Sequence, residues 1–536
     1  MAIRSVLIAN RGEIAARIAR TCRELGIEAI AVQAPDDRGA FHTRAADRVV
    51  DVVSYLDADA IAQAAADAGA DAVHPGYGFL SERADAAAAV IAAGVRWIGP
   101  PVDVLRRTGD KLEAKAIAAA AGVPVLPQGE PDAVGYPLLL KAAAGGGGRG
   151  MRIVRDPAEL DEARLAAARE AEAAFGDGRI YAERLVERPH HVEIQLLADE
   201  HGGVLALGER DCSIQRRHQK VLEESPSPVI DDDLRARLAD AAIAFARAAG
   251  YVGAGTAEFL VADGAIWFLE LNARIQVEHP VTESVFGVDL VAAQIAIAEG
   301  GRVPAPTVAQ GHAIEVRVYA EDPIAFLPRA GTIRRLTLPD GIRVDAGIAE
   351  GDGVPVAYDP MIAKLIAHAP TRAEALAALA AALADTEVAG VETNLPFLRW
   401  LVRQPDVVAG TATTAFLDEQ PPLSTRRRPS GPFAGAWRQR PAHGTGRLPV
   451  PQVPERTQGG GPGDGRLIAP MPGVLLALDV APGDRVAVGD AIGVLEAMKM
   501  EHRLVAQCDG LVTEVAASVG GFVDAGALIA AIEPDA

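Results

Sequence analysis

The chain is poor in cysteine, methionine and aromatic residues. Its three cysteines, Cys22, Cys212 and Cys508, lie far apart and show no metal-ligand spacing. That argues against a disulfide framework and points to a reducing cytoplasm. Phe, Tyr and Trp make up only 4% of the residues, so alanine, valine and leucine must fill most of the interior. No uncharged apolar run reaches the length of about 18 residues that a membrane helix needs, so no membrane span is expected. The apolar run in the opening MAIRSVLIAN is too short for a signal peptide. Positive charge is also scarce. Fifty-two Lys and Arg stand against 72 Asp and Glu, a net charge of −20. This balance argues against non-specific binding to nucleic acid or to anionic membranes, although a few residues suffice for a local basic pocket.

What is present falls into three blocks. In the first, residues 1–420, short apolar runs (SVLIAN, EAIAVQ, DAVHPG, VRWIGP) alternate with alanine-rich helical stretches such as GEIAARIARTCRELG and DADAIAQAAADAGA. This alternation predicts an α/β unit with a parallel sheet covered by helices. A division falls near residue 110. Residues 127–185 form a smaller inserted unit, predicted as strand, mobile loop, strand around AAAGGGGRGM, with further strands after it. The second block, 421–465, holds nine prolines and nine glycines in 45 residues. Such a segment has little to bury and is predicted to be a linker. The third block, 466–533, repeats itself at an offset of 37: Ala469 matches Ala506, Gly473 Gly510, Gly483 Gly520, Val486 Val523, Gly489 Gly526 and Ile492 Ile529. Two such halves predict a small all-β sandwich with two-fold symmetry. EAMKMEHR falls at their junction, which places Lys499 on an exposed hairpin.

The large block carries polar residues in a pattern that suits phosphate and metal chemistry. GGGGRG at 145–150 lacks the GKS or GKT ending of a P-loop. A loop without Cβ atoms can still close over polyphosphate and aim backbone N–H groups at it. Lys111 and Lys141 can supply positive charge. Glu258 lies in GTAEFL, and Glu270 and Asn272 in WFLELNARIQVEHP. On an extended strand Glu270 and Asn272 share a face. Two carboxylates and an amide oxygen suit a hard cation such as Mg²⁺. Arg274, Gln276 and Glu278 continue the two-residue period. Arginine can hold a planar oxyanion, and Glu278 is a candidate base. For that task its pKa is expected to lie above an ordinary glutamate's, near 4.3.

At this point the strings resemble a known family. IANRGEIA at 8–15, HPGYGFLSE at 74–82, IGP at 98–100, GGGGRGM at 145–151, HVEIQ at 191–195 and ERDCSIQRRHQKVLEESP at 209–226 are similar to the biotin carboxylase branch of the ATP-grasp enzymes. So are ARIQVEHPVTE at 273–283 and YDPMIAKL at 358–365. EAMKM at 496–500 resembles the modification motif of biotinyl carrier domains, in which a biotin protein ligase modifies the central lysine, here Lys499.

The resemblance implies an ATP-grasp carboxylase of α/β (α+β) class, with a C-terminal all-β biotinyl domain of lipoyl-like fold. It implies that ATP meets Lys111, Lys141, the loop Gly145, Gly146, Gly147 and Gly148, Glu183 and the backbone near Val186. His191, Gln215 and His218 would line the nucleotide pocket. Glu258, Glu270 and Asn272 would hold Mg²⁺ or Mn²⁺. Lys220, Arg274, Gln276, Val277 and Glu278 would surround bicarbonate, and Arg343 would face the biotin ureido oxygen. The implied chemistry is attack of bicarbonate on the γ-phosphoryl group, then transfer of the carboxyl group to biotin, with closure of 127–185 excluding water.

No region remains for passing the carboxyl group on, so a separate carboxyltransferase (β) subunit is expected, within an oligomer. The resemblance is to α subunits of bacterial acetyl-CoA and propionyl-CoA carboxylases. Many of these carry a folded docking domain where this chain has a short, proline-rich stretch. The alternatives are an α subunit serving pyruvate or a branched acyl-CoA, a carrier and assembly protein without catalysis, and an ATP-grasp ligase fused to a lipoyl carrier.

Overall fold

The computed structural model describes residues 2–143, 151–216, 219–355, 357–420, 465–471, 473–497, 500–524 and 526–534. Gly145–Gly148, His218, the stretch 421–464 and Lys499 lie outside these residues.

The N-terminal unit is the α/β layer expected from its alternating runs. Five strands, Arg48–Asp51, Glu28–Gln33, Ser5–Ile8, Ala72–His74 and Arg96–Trp97, lie in that order, and all neighbours are parallel. The helices Gly12–Glu24 and Ala58–Asp67 are among its crossovers. Both turn small or aliphatic side chains inward, including Ile14, Ile18, Ile61 and Ala65.

The parallel arrangement does not continue through the rest of the first block, which corrects the expectation for residues 111–420. The main sheet there has eight strands in the order Ala265–Asn272, Gly253–Ala262, His190–Ala198, Val204–Arg216, Gln219–Ser225, His312–Tyr319, Met361–Ala369, Arg343–Ala346. Every neighbouring pair in it is antiparallel. Antiparallel neighbours need only short turns, so the helices here are not crossovers between adjacent parallel strands. Phe245 of the helix Asp232–Ala249 stacks on Phe268 with centroids 4.6 Å apart, fixing that helix against the sheet edge.

Residues 127–185 form a separate four-stranded sheet in the order Gln128–Gly129, Ile180–Arg184, Leu138–Ala142, Arg152–Val154. The helix Leu160–Phe175 belongs to the same unit. It has a core of its own built on Leu138, Leu140, Val154 and Ala182.

The carrier repeat is realised strand by strand. Gly473–Leu478, Arg485–Val486 and Ala491–Ala497 recur 37 residues later as Gly510–Val515, Phe522–Val523 and Leu528–Pro534. Each half lends its two-residue strand to the other half's sheet, giving two four-stranded sheets. Glycine is required at the matched turn positions Gly489 and Gly526, where φ is +92° and +81°. Ala497 pairs with Met500.

A Cβ at Gly510 would sit 2.2 Å from the Glu533 carbonyl oxygen. Gly510→Ala should therefore destabilise the carrier unit by about 1–3 kcal/mol. Hydrogen exchange should rise across 465–534 and stay unchanged across 2–420; equal effects in both would contradict this partition.

Candidate active site

One face of the eight-stranded sheet alternates apolar and polar residues so that charged side chains collect beneath the helix His279–Phe286. In register across it, Glu258 opposes Glu270 on one neighbouring strand and Glu193 on the other. At the centre is Lys220. Its ammonium is 2.5 Å from Glu193, 2.8 Å from Glu258 and 2.6 Å from Glu278. A protonated amine has three N–H donors, and here each has a carboxylate.

The expected metal-binding residues converge. Glu258 Oε1 accepts from Asn272 Nδ2 at 2.8 Å and from Gln276 Nε2 at 3.2 Å, and Oε2 lies 2.8 Å from His191 Nε2. Glu270 pairs with Lys111 at 3.1 Å. The donor set fits a hard divalent cation: two carboxylates on adjacent strands with an amide between them. Ligand atoms of His191, Glu193 and Glu258 also lie within 4.8 Å of one another, which adds Glu193 to the groups at hand. His191 bridges Glu258 to Gln215, whose Nε2 is 2.5 Å from His191 Nδ1.

The strand carrying Asn272 ends there, so Arg274, Gln276 and Glu278 do not extend it as the two-residue period predicted. They turn back over the site instead. Arg274 is held by Glu82 at 3.1 Å, Gln276 Oε1 at 3.0 Å and Asn272 Oδ1 at 3.0 Å. The Val277 carbonyl accepts from the buried Lys364 at 2.7 Å. Glu278 is fully buried, and Arg317 donates to it at 3.0 Å. Burial alone would raise its pKa, but Lys220, Arg317 and Arg210 outweigh burial and hold it below the ordinary carboxylate range. This reverses the expectation that a base here needs a raised pKa.

At the other end of the site Lys141 lies 2.5 Å from Glu183, and the buried Lys115 meets the other Glu183 oxygen. Val186 follows in the half-buried connection to the next strand. Arg343 is clasped by Asp345 at 2.7 Å and by Glu283 at 2.8 Å, and it remains partly exposed.

Sequence reasoning missed Lys115, Glu193, Arg210, Arg317 and Lys364. A signal existed. In HVEIQL and HAIEVRVY the charged residues alternate with aliphatic ones, which places Glu193 on the face of His191 and Arg317 on the face of Glu315. Arg210 is fully buried and bonds Gln195 at 2.7 Å, Thr282 at 2.9 Å and Thr256 at 3.1 Å, besides Glu193.

Comparison with known proteins agrees with this geometry. Residues 2–105 match the biotin carboxylase N-terminal domain, 110–305 the carbamoyl-phosphate synthase L chain ATP-binding domain and 315–419 the biotin carboxylase C-terminal domain. Residues 465–532 match the biotin-requiring enzyme family. A biotin carboxylase of Halalkalibacterium halodurans is 47% identical over 451 residues, covering 80% of this chain and 100% of that one. The biotin-dependent acyl-coenzyme A carboxylase alpha3 subunit of Mycobacterium leprae is 39% identical over 594 aligned positions, covering 99% of both. The crystal structure of the Campylobacter jejuni biotin carboxylase in its β,γ-ATP complex superimposes with a TM-score of 0.76 at 41% identity, over 78% of this chain and 99% of that one.

An ATP-grasp fold around such a site, joined to a β-rich biotinyl domain, defines a biotin-dependent ligase. The chain belongs to the biotin carboxylase family, and its activity is the ATP- and bicarbonate-dependent carboxylation of biotin.

Arg210 neutralises Glu193 inside the protein, so Arg210→Met leaves buried charge under-compensated. It should cost about 3–5 kcal/mol in denaturant unfolding. A loss below about 1 kcal/mol would show that the pair is not needed for the site to fold.

Proposed function

We propose that this chain is the α subunit of an acyl-CoA carboxylase of the acetyl- or propionyl-CoA type, and that it carboxylates biotin attached to its own Lys499. The observation that carries the catalytic assignment is the Lys220 ammonium shared by Glu193, Glu258 and Glu278 beside Arg274. End-to-end likeness to the Mycobacterium leprae alpha3 subunit supports the acyl-CoA acceptor. A carboxyltransferase subunit then completes the reaction, and a biotin protein ligase loads the carrier.

In this reading Lys111 and Lys141 turn from Glu270 and Glu183 to the ATP phosphates. Glu258, Glu270 and Asn272 would hold the metal, which would supply charge neutralisation at the phosphates. Arg274, Lys220 and the backbone at Val277 hold bicarbonate, with Gln276 closing the pocket. Glu278 removes the bicarbonate proton as the oxygen attacks the γ-phosphoryl group. A depressed pKa is compatible with that step. The cations that keep Glu278 ionised also acidify a bicarbonate bound among them, so base and proton donor shift together. Arg343, held on two sides by carboxylates, presents its free edge to the oxyanion that develops on the ureido group.

Glu278→Gln should lower bicarbonate-dependent ADP release with free biotin at least 100-fold, about the low end for loss of a general base. Near-wild-type turnover would remove Glu278 from the mechanism. Lys499→Arg should abolish biotin mass on the 465–536 fragment while leaving carboxylation of free biotin intact. Relatives include methylcrotonoyl-CoA carboxylase α subunits, of which the chain covers 60%, and pyruvate carboxylases. Copurification of the carboxyltransferase and an acceptor screen decide between these acceptors. Carboxylation of acetyl- or propionyl-CoA is expected, and activity on pyruvate or methylcrotonoyl-CoA alone would overturn the acetyl-/propionyl-CoA assignment.

A further inference from the structure

Beside the site, two carboxylates face each other with too little positive charge to serve both. Glu223 and Glu315 are direct cross-strand partners, and both are fully buried. Among the described residues neither Glu315 oxygen has a hydrogen-bond partner. The neighbouring cations are already engaged. Lys364 is 3.1 Å from Glu13 and donates to the Val277 carbonyl at 2.7 Å. Arg317 uses one nitrogen, Nη2, for two carboxylates: Glu223 at 2.5 Å and Glu278 at 3.0 Å. A buried carboxylate without a counter-ion is far less costly when protonated. Glu223, in register on the adjacent strand, is the candidate acceptor for a proton on Glu315.

We propose that Glu223 and Glu315 hold one proton between them and that this pair, acting through the shared Arg317 nitrogen, sets the strength of Glu278 as a base. When Glu223 is ionised it draws Arg317 away and adds negative charge near Glu278, which strengthens the base. When Glu223 carries the proton, Arg317 belongs to Glu278 and the base weakens. Both are positioning residues; neither touches substrate. Burial pushes both carboxyls upward, Glu223 to about 7. The groups facing the pair are Arg317 and Tyr319 on Glu315's own strand, Lys220 beside Glu223, Cys212 on the next strand and Lys364 on the strand beyond. Glu278 faces it from above, with Glu13 behind Lys364.

The inference rests on Glu278 being the bicarbonate base, and its test separates the two. The measurement is kcat/KM for bicarbonate against pH in the full chain with free biotin. Glu223→Gln frees Arg317 for Glu278, so the acidic limb should move down by about one pH unit. Glu315→Gln can donate to Glu223 but cannot lend it a proton, so Glu223 stays ionised and the limb should move up. Residues that serve packing alone would move neither limb. Superimposable profiles, or shifts in the same direction, overturn the proposal. Should a variant fail to fold, infrared spectra of the wild type near neutral pH still test it. A protonated-carboxyl band that disappears as the pair loses its proton near neutral pH is expected, and absence of any such band overturns it. Retained activity in Glu278→Gln would instead overturn the base assignment and leave the infrared result to judge the pair.

Discussion

The Lys220 ammonium, enclosed by three buried carboxylates from separate segments, is the contact on which the rest of the site depends. A charge taken out of water is tolerable only if every donor is met, so Lys220 fixes Glu193, Glu258 and Glu278 relative to one another. It also explains why acids can be stored in an interior at all. Lys220 pairs with Glu258 and Lys111 with Glu270, so the carboxylates proposed to hold the metal already have cationic partners, which a bound metal would replace.

Much of this was legible in the sequence. The parallel N-terminal layer followed from helix and strand periods alternating over short distances. The carrier's two-fold sandwich followed from a repeat that aligns strand with strand and glycine turn with glycine turn. Glu270 and Asn272 were legible because polar residues at a period of two directly after WFL have no packing reason to be there, and Glu258 stood out as the lone acid in GTAEFL. The antiparallel central sheet was not, because single strands read the same in either direction and pairing is a long-range property. Glu278 was found, but its ionisation depends on Arg317 and Arg210, which lie 39 positions after it and 68 before it. Local patterns contain no information about that encounter.

The same kind of long-range pairing joins the three regions of the carboxylase. The segment 274–289 belongs to the ATP-binding region. On one side Arg17 of the N-terminal region reaches Glu283 at 2.8 Å and Asp289 at 3.1 Å. On the other Arg343 of the C-terminal region reaches Glu283 at 2.8 Å. Lys364, also C-terminal, bonds both Val277 and Glu13 of the N-terminal region. Arg17, Glu283, Glu13 and Lys364 are all buried in the joined carboxylase. Separating any region would break these pairs and return their charges to water, so the placement of the 274–289 segment depends on all three regions being joined. The carrier is built differently. Its buried core residues all lie within 467–532, with Leu327 of the C-terminal region packed against them. The chemistry therefore resides where three regions share buried ion pairs, while the group it acts on is carried by a unit whose buried core residues are its own.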